Sequence, residues 1–400
     1  MRRPIDITDF LTNLADKLED RDPDALVPAY QVFANNKTST SDPMDGVLAA
    51  MGNNPEAALE YLTPEGDGSV DGDGNWVPDD KARQRWEKLT SRDWDCDFTM
   101  SASDKPTAAD GLTSAVAAAS SFRNPGPGED GAVSSDAAQR DAAATYTSGM
   151  GVNYFSGDSW SRDEFTDTMK HNLAVVVANS PEEVAAAAAG NDEVSTGGEG
   201  PSVARWGVTP TDMSTMIFRF GDSQDAMAVA STGVGDYHHR RIEEAMSTDD
   251  PGQSNLGNEY GQLSRSSSYL TELSRMRYDE DMKADSRHAE DPSKASTRPV
   301  PNLLLAQAYG DAMNHGLLTD PSTLTTAKDH DWAVSDPDHP DAAPTVDIAG
   351  LTRGQADDMT AWKENSVTNK NDRRVLNTLD TSISAKWTSG RDAASDARTN

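Results

Sequence analysis

The densest group of oxygen ligands in the sequence lies between Asp67 and Pro78. Counted from Asp67, oxygen donors stand at the first, third and fifth positions and glycine at the sixth, as in the first half of an EF-hand calcium loop. The second half departs from that pattern. Gly74 replaces the apolar anchor, and Pro78 replaces the bidentate glutamate. We therefore predict an acidic, flexible loop between helices, with calcium binding by Asp67–Asn75 as an alternative.

A second group of potential metal ligands lies between Asp329 and Asp341, where two histidines and five aspartates fall within thirteen residues. His330 and His339 lack the spacing that places two ligands on one helix face, and the intervening prolines favour an extended loop. Short aspartate-rich runs are usually solvated. We therefore predict a surface loop and assign no metal ligand.

Four further candidates lack the residues that the chemistry needs. Gly126–Gly131 satisfies the G-x-G-x-x-G pattern, but no strand precedes it and Pro127 lacks an N–H for phosphate. Cys96, the only cysteine, is flanked by two aspartates that disfavour a thiolate. His238–Arg241 reads as a solvated helix end, and Ser266–Ser268 as helix-surface serines without a relay. We assign no catalytic or cofactor-binding residue.

The charge of the chain limits its partners. The 400 residues carry a formal net charge of −32, which repels phosphate backbones and anionic lipid headgroups. We therefore expect no nucleic-acid binding. We also expect no membrane span, since no apolar run approaches the roughly 20 residues of a spanning helix. The first residues lack the apolar core of a secretory signal. We expect a cytoplasmic protein, or one exported by a signal-peptide-independent route.

Helix signals dominate the sequence and predict an all-α fold of capped helical hairpins around a thin core rich in alanine and methionine, with acidic flexible loops. The clearest hairpin begins at Asp42-Pro43, an N-cap followed by proline at the first helical position. Four apolar residues at helical spacing follow, and Gly52 is expected to end the helix in a left-handed conformation. Asn54-Pro55 then begins a second short helix.

Three capping boxes are predicted in the middle of the chain, at Ser161–Glu164, Ser180–Glu183 and Thr209–Asp212. The alanine-rich segments 112–122 and 137–146 are weakly amphipathic and could be partly frayed. Apolar stripes at Met213–Phe220 and Leu303–Met313 are interpreted as core, with a groove for a partner helix as the alternative.

We predict three regions: an N-terminal helical domain over 1–190, a second over 203–318, and a C-terminal helical segment over 319–400 whose tail after Ser389 is disordered. Segments rich in glycine, proline, serine and aspartate separate them. The sequence contains no fixed repeat. A short element with aspartate before tryptophan nevertheless recurs, as Asp93-Trp94, Asp158-Ser-Trp160 and Asp331-Trp332.

The segment Ser41–Leu62, which contains DPMDGVLAAMGNNPEAALEYL, together with LTSRDWD at Leu89–Asp95, resembles a family of large uncharacterised actinobacterial helical proteins associated with WXG100-type, type VII export systems. In that family a further helical region usually precedes this segment, so the resemblance implies a member without the usual N-terminal region. It carries over no functional residue. It implies a non-catalytic structural or protein-interaction module with a protein partner, such as a WXG100-type protein. A hydrolytic toxin module with a dispersed site, or a calcium-responsive module, is the alternative.

Overall fold

The computed structural model describes residues 7–20, 42–64, 68–92, 94, 109–124, 133–161, 164–190, 208–247, 252–284, 301–339 and 342–399. Within these ranges the chain forms fifteen helices and two short antiparallel hairpins, which confirms the predicted all-α fold. None of the described helices combines the length and the apolar character that crossing a bilayer would require.

Contacts group the chain into two compact units, the first formed by Met1–Ala187 with Asn191–Gly233 and the second by Ala188–Gly190 with Val234–Asn400. The division into 1–190, 203–318 and 319–400 stays a prediction of domain organisation. Elements of the first unit are α1 (Ile7–Leu18), α2 (Pro43–Met51), α3 (Pro55–Leu62), β1 (Gly68–Val70), β2 (Trp76–Pro78), α4 (Asp80–Ser91), α5 (Asp110–Ser120), α6 (Ser135–Ser156), α7 (Asp167–Ala178), α8 (Pro181–Ala189) and α9 (Pro210–Phe220).

Helix α10 (Gln224–Met246) follows and contributes its second half to the second unit. The remaining elements are α11 (Gln253–Ala284), α12 (Asn302–Asn314), α13 (Pro321–Ala327), β3 (Ala333–Val334), β4 (Thr345–Val346), α14 (Arg353–Ser366) and α15 (Lys370–Thr399).

The predicted hairpin of α2 and α3 is confirmed at its caps. The Asp42 carboxylate accepts a hydrogen bond from the Met44 N–H at 2.9 Å, and the Asn54 side chain accepts one from the Ala57 N–H at 3.2 Å. The expected left-handed stop at Gly52 is wrong, because its φ is −55°. Glycine is needed there for space: a Cβ would lie 2.7 Å from the Cβ of Ser114 on α5.

Helix α5 is the central helix of the first unit. It packs against α2, α3, α6 and α7, and Leu112, Ala115, Val116 and Ala119 are fully buried. The weak amphipathicity that suggested a frayed helix has another cause, since a helix surrounded by neighbours is apolar on every side. Small alanine side chains allow the four neighbouring helices to approach closely.

The three predicted capping boxes have different outcomes. Thr209 and Asp212 form the predicted reciprocal box at the start of α9. The box at Ser161–Glu164 is wrong as the start of α7: the Ser161 N–H donates to the Glu164 carboxylate, but α7 begins later with Thr166 as its N-cap. At Ser180–Glu183 helix α8 begins where predicted, but both side chains bind Arg123 instead.

Two short hairpins replace predicted loops. Strands β1 and β2 pair across the acidic segment near Asp71, and the Trp76 ring packs 4.8 Å from the Tyr146 ring of α6. The predicted flexible loop is therefore a turn held against a helix. Strands β3 and β4 pair in the same way in the second unit, with Ala333 opposite Val346. Each strand has only two or three residues, too few for a sequence pattern to reveal.

The second unit is organised around α11 and α15, two long helices that run parallel because their contacts advance together from Gly257 near Ser382 to Glu272 with Arg391. A Cβ at Gly390 would lie 2.2 Å from the carbonyl oxygen of Arg265, so this close approach requires glycine. The predicted disordered tail after Ser389 is wrong. Helix α15 continues to Thr399, since Gly390 and Arg391 are packed against α11.

Candidate binding pocket

An ion pair joins the two segments that carry the family resemblance. The Arg92 Nε donates to Asp42 Oδ2 at 2.5 Å and a terminal nitrogen of Arg92 donates to Asp42 Oδ1 at 2.9 Å. The two side chains are only 4% and 2% exposed, so the pair is shielded from solvent. Asp42 thus has two roles at once: it caps α2 and neutralises a buried guanidinium fifty positions later in the chain.

Two further carboxyl groups lie close to this pair. Asp45 is buried on α2, and its Oδ1 accepts a hydrogen bond from the Gly111 N–H at 2.7 Å. Burial raises the pKa of Asp45 to about 7; the Gly111 N–H opposes this shift, and the charges of Asp110 and Asp42 add to it. Burial also raises the pKa of Asp110, against a hydrogen bond from Thr166. The contact between α2 and α5 therefore favours the protonated form of the Asp45 and Asp110 carboxyl groups.

This arrangement predicts a pH dependence of folding. The folded-state pKa of Asp45 lies above its unfolded value of 3.8, so its contribution to the free energy of unfolding is complete below pH 3.8 and is lost as pH rises through about 7. Asp45→Asn should flatten this slope. As the pH rises from 4 to 8, the free energy of unfolding of the variant should increase by roughly 2–4 kcal/mol relative to that of wild type. Urea unfolding at each pH measures the difference. A parallel pH profile for the two proteins would contradict it.

A pocket of about 180 Å³ opens beside the ion pair. Its described lining consists of Thr90, Arg92, Trp94, Tyr154, Ser159, Trp160 and Glu164. The rings of Tyr154 and Trp160 meet edge to face with centroids 5.6 Å apart, and Trp160 also packs on the rings of Phe155 and Phe165 behind it. The aromatic wall is thus supported from the core.

The opposite wall is held by the segment that follows α4. The Trp94 Nε1 donates to the Leu89 carbonyl oxygen at 3.1 Å, and the Arg92 guanidinium lies 5.8 Å from the Trp94 ring centroid. Of the two charged side chains in the described lining, Arg92 is bound to Asp42, and Glu164 accepts a hydrogen bond from the Ser161 N–H. Such a lining of aromatic rings and engaged polar groups is suited to holding a side chain.

Sequence inspection missed this pocket as a site, although it contained one signal. Two of the three elements with aspartate before tryptophan, Asp93-Trp94 and Asp158-Ser-Trp160, contribute their tryptophans to the same pocket. The third, Asp331-Trp332, lies in the second unit, where Trp332 packs on Trp362 in the core. The recurrence was visible in the sequence, but the pairing of the first two elements depends on tertiary structure.

In the candidate calcium loop, the Asp71 carboxylate binds N–H groups of the loop itself. Asp67 lies outside the described residues. The Asp71 Oδ1 accepts hydrogen bonds from the N–H groups of Asp73 and Asn75, both at 2.9 Å, and Asp71 Oδ2 accepts one from the Asn75 side chain. These oxygens therefore shape the hairpin turn. Within the described ranges, no three residues among histidine, cysteine, aspartate and glutamate are arranged to hold a metal ion.

The two histidines of the second candidate metal segment, His330 and His339, bind different aspartates. His330 pairs with Asp358 of α14 at 2.6 Å and stacks on Trp332, which donates its own indole N–H to Asp358. His339 pairs with Asp336 at 2.9 Å on the exposed loop. Asp341, like Cys96 and Gly126–Gly131, lies outside the described residues. His330 and His339 thus each have a carboxylate partner of their own.

The predicted surface positions of His238 and Ser266 are wrong. Both are buried, and His238 Nε2 lies 3.0 Å from Ser266 Oγ. Burial lowers the pKa of His238 to about 3, with the charge of Arg241 adding to the effect. The described residues offer His238 Nδ1 no partner, so the carboxylate that orients a catalytic imidazole is missing. At 1–2% exposure the pair is a core contact that a substrate cannot reach.

Residues 8–298 match a family model whose description is Family of unknown function (DUF6571). The match covers the pocket and its supporting helices. Neither the curated proteins nor the solved structures contain a significant match to the chain.

Proposed function

The chain belongs to the DUF6571 family of unknown function, and we propose that it is a non-catalytic protein-interaction module that binds a partner side chain between Arg92 and Trp160. The observation that carries this proposal is the character of the pocket lining. Aromatic rings provide the contact area, and the two charged side chains of the described lining already have protein partners. Aromatic and arginine side chains at the centre of a concave surface are typical of binding hot spots.

The pocket also has the rigidity that recognition needs. Trp160 is 7% exposed and Trp94 3% exposed, so each ring is largely fixed by its own neighbours before a partner arrives. A pre-organised site loses little conformational entropy on binding. The buried Asp42–Arg92 pair fixes the segment that carries Trp94 to the start of α2.

The finer part of the proposal concerns the partner. We propose a WXG100-type helical protein and a role in type VII export, in the cytoplasm or along a signal-peptide-independent route. Support comes from the resemblance of Ser41–Leu62 and Leu89–Asp95 to proteins of such systems. These same segments supply Asp42, Arg92 and Trp94 to the pocket and its supporting ion pair.

Filling the pocket tests the proposal. Ser159 is exposed at the rim, so Ser159→Trp should fold normally while occupying the cavity. Wild type and the variant, each carrying a tag, are used to capture the partner from a native lysate. We expect the variant to recover about tenfold less of it, which corresponds to a loss of roughly 1.4 kcal/mol in binding free energy. Quantitative mass spectrometry of the captured proteins provides the measurement, and identification of a WXG100-type protein would support the finer proposal.

Ser135→Trp is the matched control, because Ser135 is also an exposed serine of the first unit but lies at the start of α6, away from the pocket lining. It should capture the partner as wild type does. Equal capture by wild type and both variants would show that the pocket does not take part in binding the partner. Turnover of a hydrolysable substrate by wild type and not by Ser159→Trp would replace the binding proposal with an enzymatic one.

A further inference from the structure

We infer that α15 carries a second interaction surface, for an acidic peptide segment of a protein partner, on the face formed by Lys370, Arg374, Asn377, Thr378 and Thr381. This face lines a groove of about 610 Å³. It belongs to the second unit and lies outside residues 8–298. The inference is therefore independent of the pocket near Arg92.

The first observation is an excess of cations on this face. Lys370 and Arg374 are exposed, and within the described part of the chain neither has a carboxylate at ion-pair distance. This is unusual in a chain with 67 acidic and 35 basic residues. The neighbouring Arg373 is different, since it donates to the Glu364 carboxylate and to the Val367 carbonyl oxygen, both at 3.3 Å.

The second observation explains the excess. The acidic residues closest along the chain are committed to the interior of the unit. Asp372 is 1% exposed and accepts hydrogen bonds from the N–H groups of Thr319 and Asp320, both at 3.1 Å. Asp380 binds Lys363 and the Tyr309 hydroxyl. These carboxylates are held by those contacts and do not pair with Lys370 or Arg374, which leaves the two cations available to attract an anionic group.

The shape of the surface selects a linear ligand. Lys370 and Arg374 are one helical turn apart, roughly 6 Å along the axis, which matches the spacing of alternate side chains in an extended peptide. The row continues for two more turns with Asn377, Thr378 and Thr381. The two threonine hydroxyls donate to helix carbonyl oxygens and can accept hydrogen bonds from a peptide backbone, and the Asn377 amide can donate and accept. Two free cations are too few for a nucleic acid against a net charge of −32.

Fluorescence anisotropy with a short labelled peptide of alternating glutamate and threonine tests the inference on the full chain at low ionic strength. Wild type should bind it, and added salt should weaken binding. The double variant Lys370→Glu/Arg374→Glu should bind at least about tenfold more weakly. Arg240→Glu/Arg353→Glu, two exposed cations elsewhere in the second unit, makes the same change of net charge and should bind as wild type does.

Several results would overturn the inference: no binding by wild type, equal losses in the two double variants, or equal binding of a peptide with glutamine in place of each glutamate. Displacement of the peptide by inorganic phosphate near stoichiometric concentration would identify a simple anion site instead. Concentration-dependent self-association abolished by Lys370→Glu/Arg374→Glu would assign the surface to a second copy of this chain, against the inference. Loss of this binding leaves capture through the Arg92 pocket unchanged, so the two proposals fail separately.

Discussion

Asp42→Ala is expected to lower the free energy of unfolding of the first unit by about 3–5 kcal/mol. The substitution leaves the Arg92 guanidinium, 4% exposed, without its bidentate partner. It also removes the N-cap of α2, which by itself contributes about 1 kcal/mol. Urea denaturation followed by tryptophan fluorescence measures the change. The pocket should be lost with the ion pair, because Arg92 holds one of its walls.

Asp320→Ala is the matched control for this prediction. Asp320 caps α13 in the same way, with proline at the following position and hydrogen bonds from Ser322 and Thr323. Its carboxylate also accepts one from the Asn369 side chain, and among the described residues it has no arginine partner. Its replacement should cost the second unit only about 1 kcal/mol. Similar losses in the two variants would show that Asp42 acts only as a helix cap, and that the pair with Arg92 contributes nothing measurable.

Arg123→Met is the second substitution with a large expected effect, again about 3–5 kcal/mol. Arg123 and Glu183 are each 3% exposed, and the guanidinium also donates to the hydroxyl groups of Ser180 and Thr145. Removing the arginine leaves Glu183 as a buried, unpaired carboxylate, one of whose oxygens already has no hydrogen-bond partner in the described structure. Denaturation of the first unit measures the loss.

The double variant Arg123→Met/Glu183→Met separates the pair from its surroundings. Without either charge, the site resembles an apolar contact, and most of the lost stability should return. A double variant as unstable as the sum of the two single variants would contradict this account. In that case the hydroxyl contacts to Ser180 and Thr145, and not the missing counter-charge, would explain the loss.

The local features of the fold could be predicted from the sequence. Caps such as Asp42-Pro43 and Thr209–Asp212 depend on residues within one helical turn. The stripe at Met213–Phe220 is buried, as the core interpretation expects. The predicted capping box at Ser180 was wrong because the same side chain can serve a second purpose: its hydroxyl binds an arginine that is distant in the sequence.

The site could not be predicted in this way. Its central ion pair links residues fifty positions apart, and its aromatic wall comes from a third segment near Trp160. Sequence periodicity identifies which side of a helix is buried but does not identify the helix that covers it. For the same reason His238 and Ser266 appeared to be surface residues: their burial follows from the close packing around α11, where small side chains allow neighbouring helices to approach.

Hydrogen–deuterium exchange of the chain, with and without its captured partner, tests the central claim most directly. The account predicts that the partner slows exchange in the segments that flank the pocket, Arg92–Trp94 and Gly157–Ser161, and that Ser159→Trp abolishes this protection. The result that would contradict the account is a bound partner that leaves both segments exchanging at their free rates while protecting other parts of the chain.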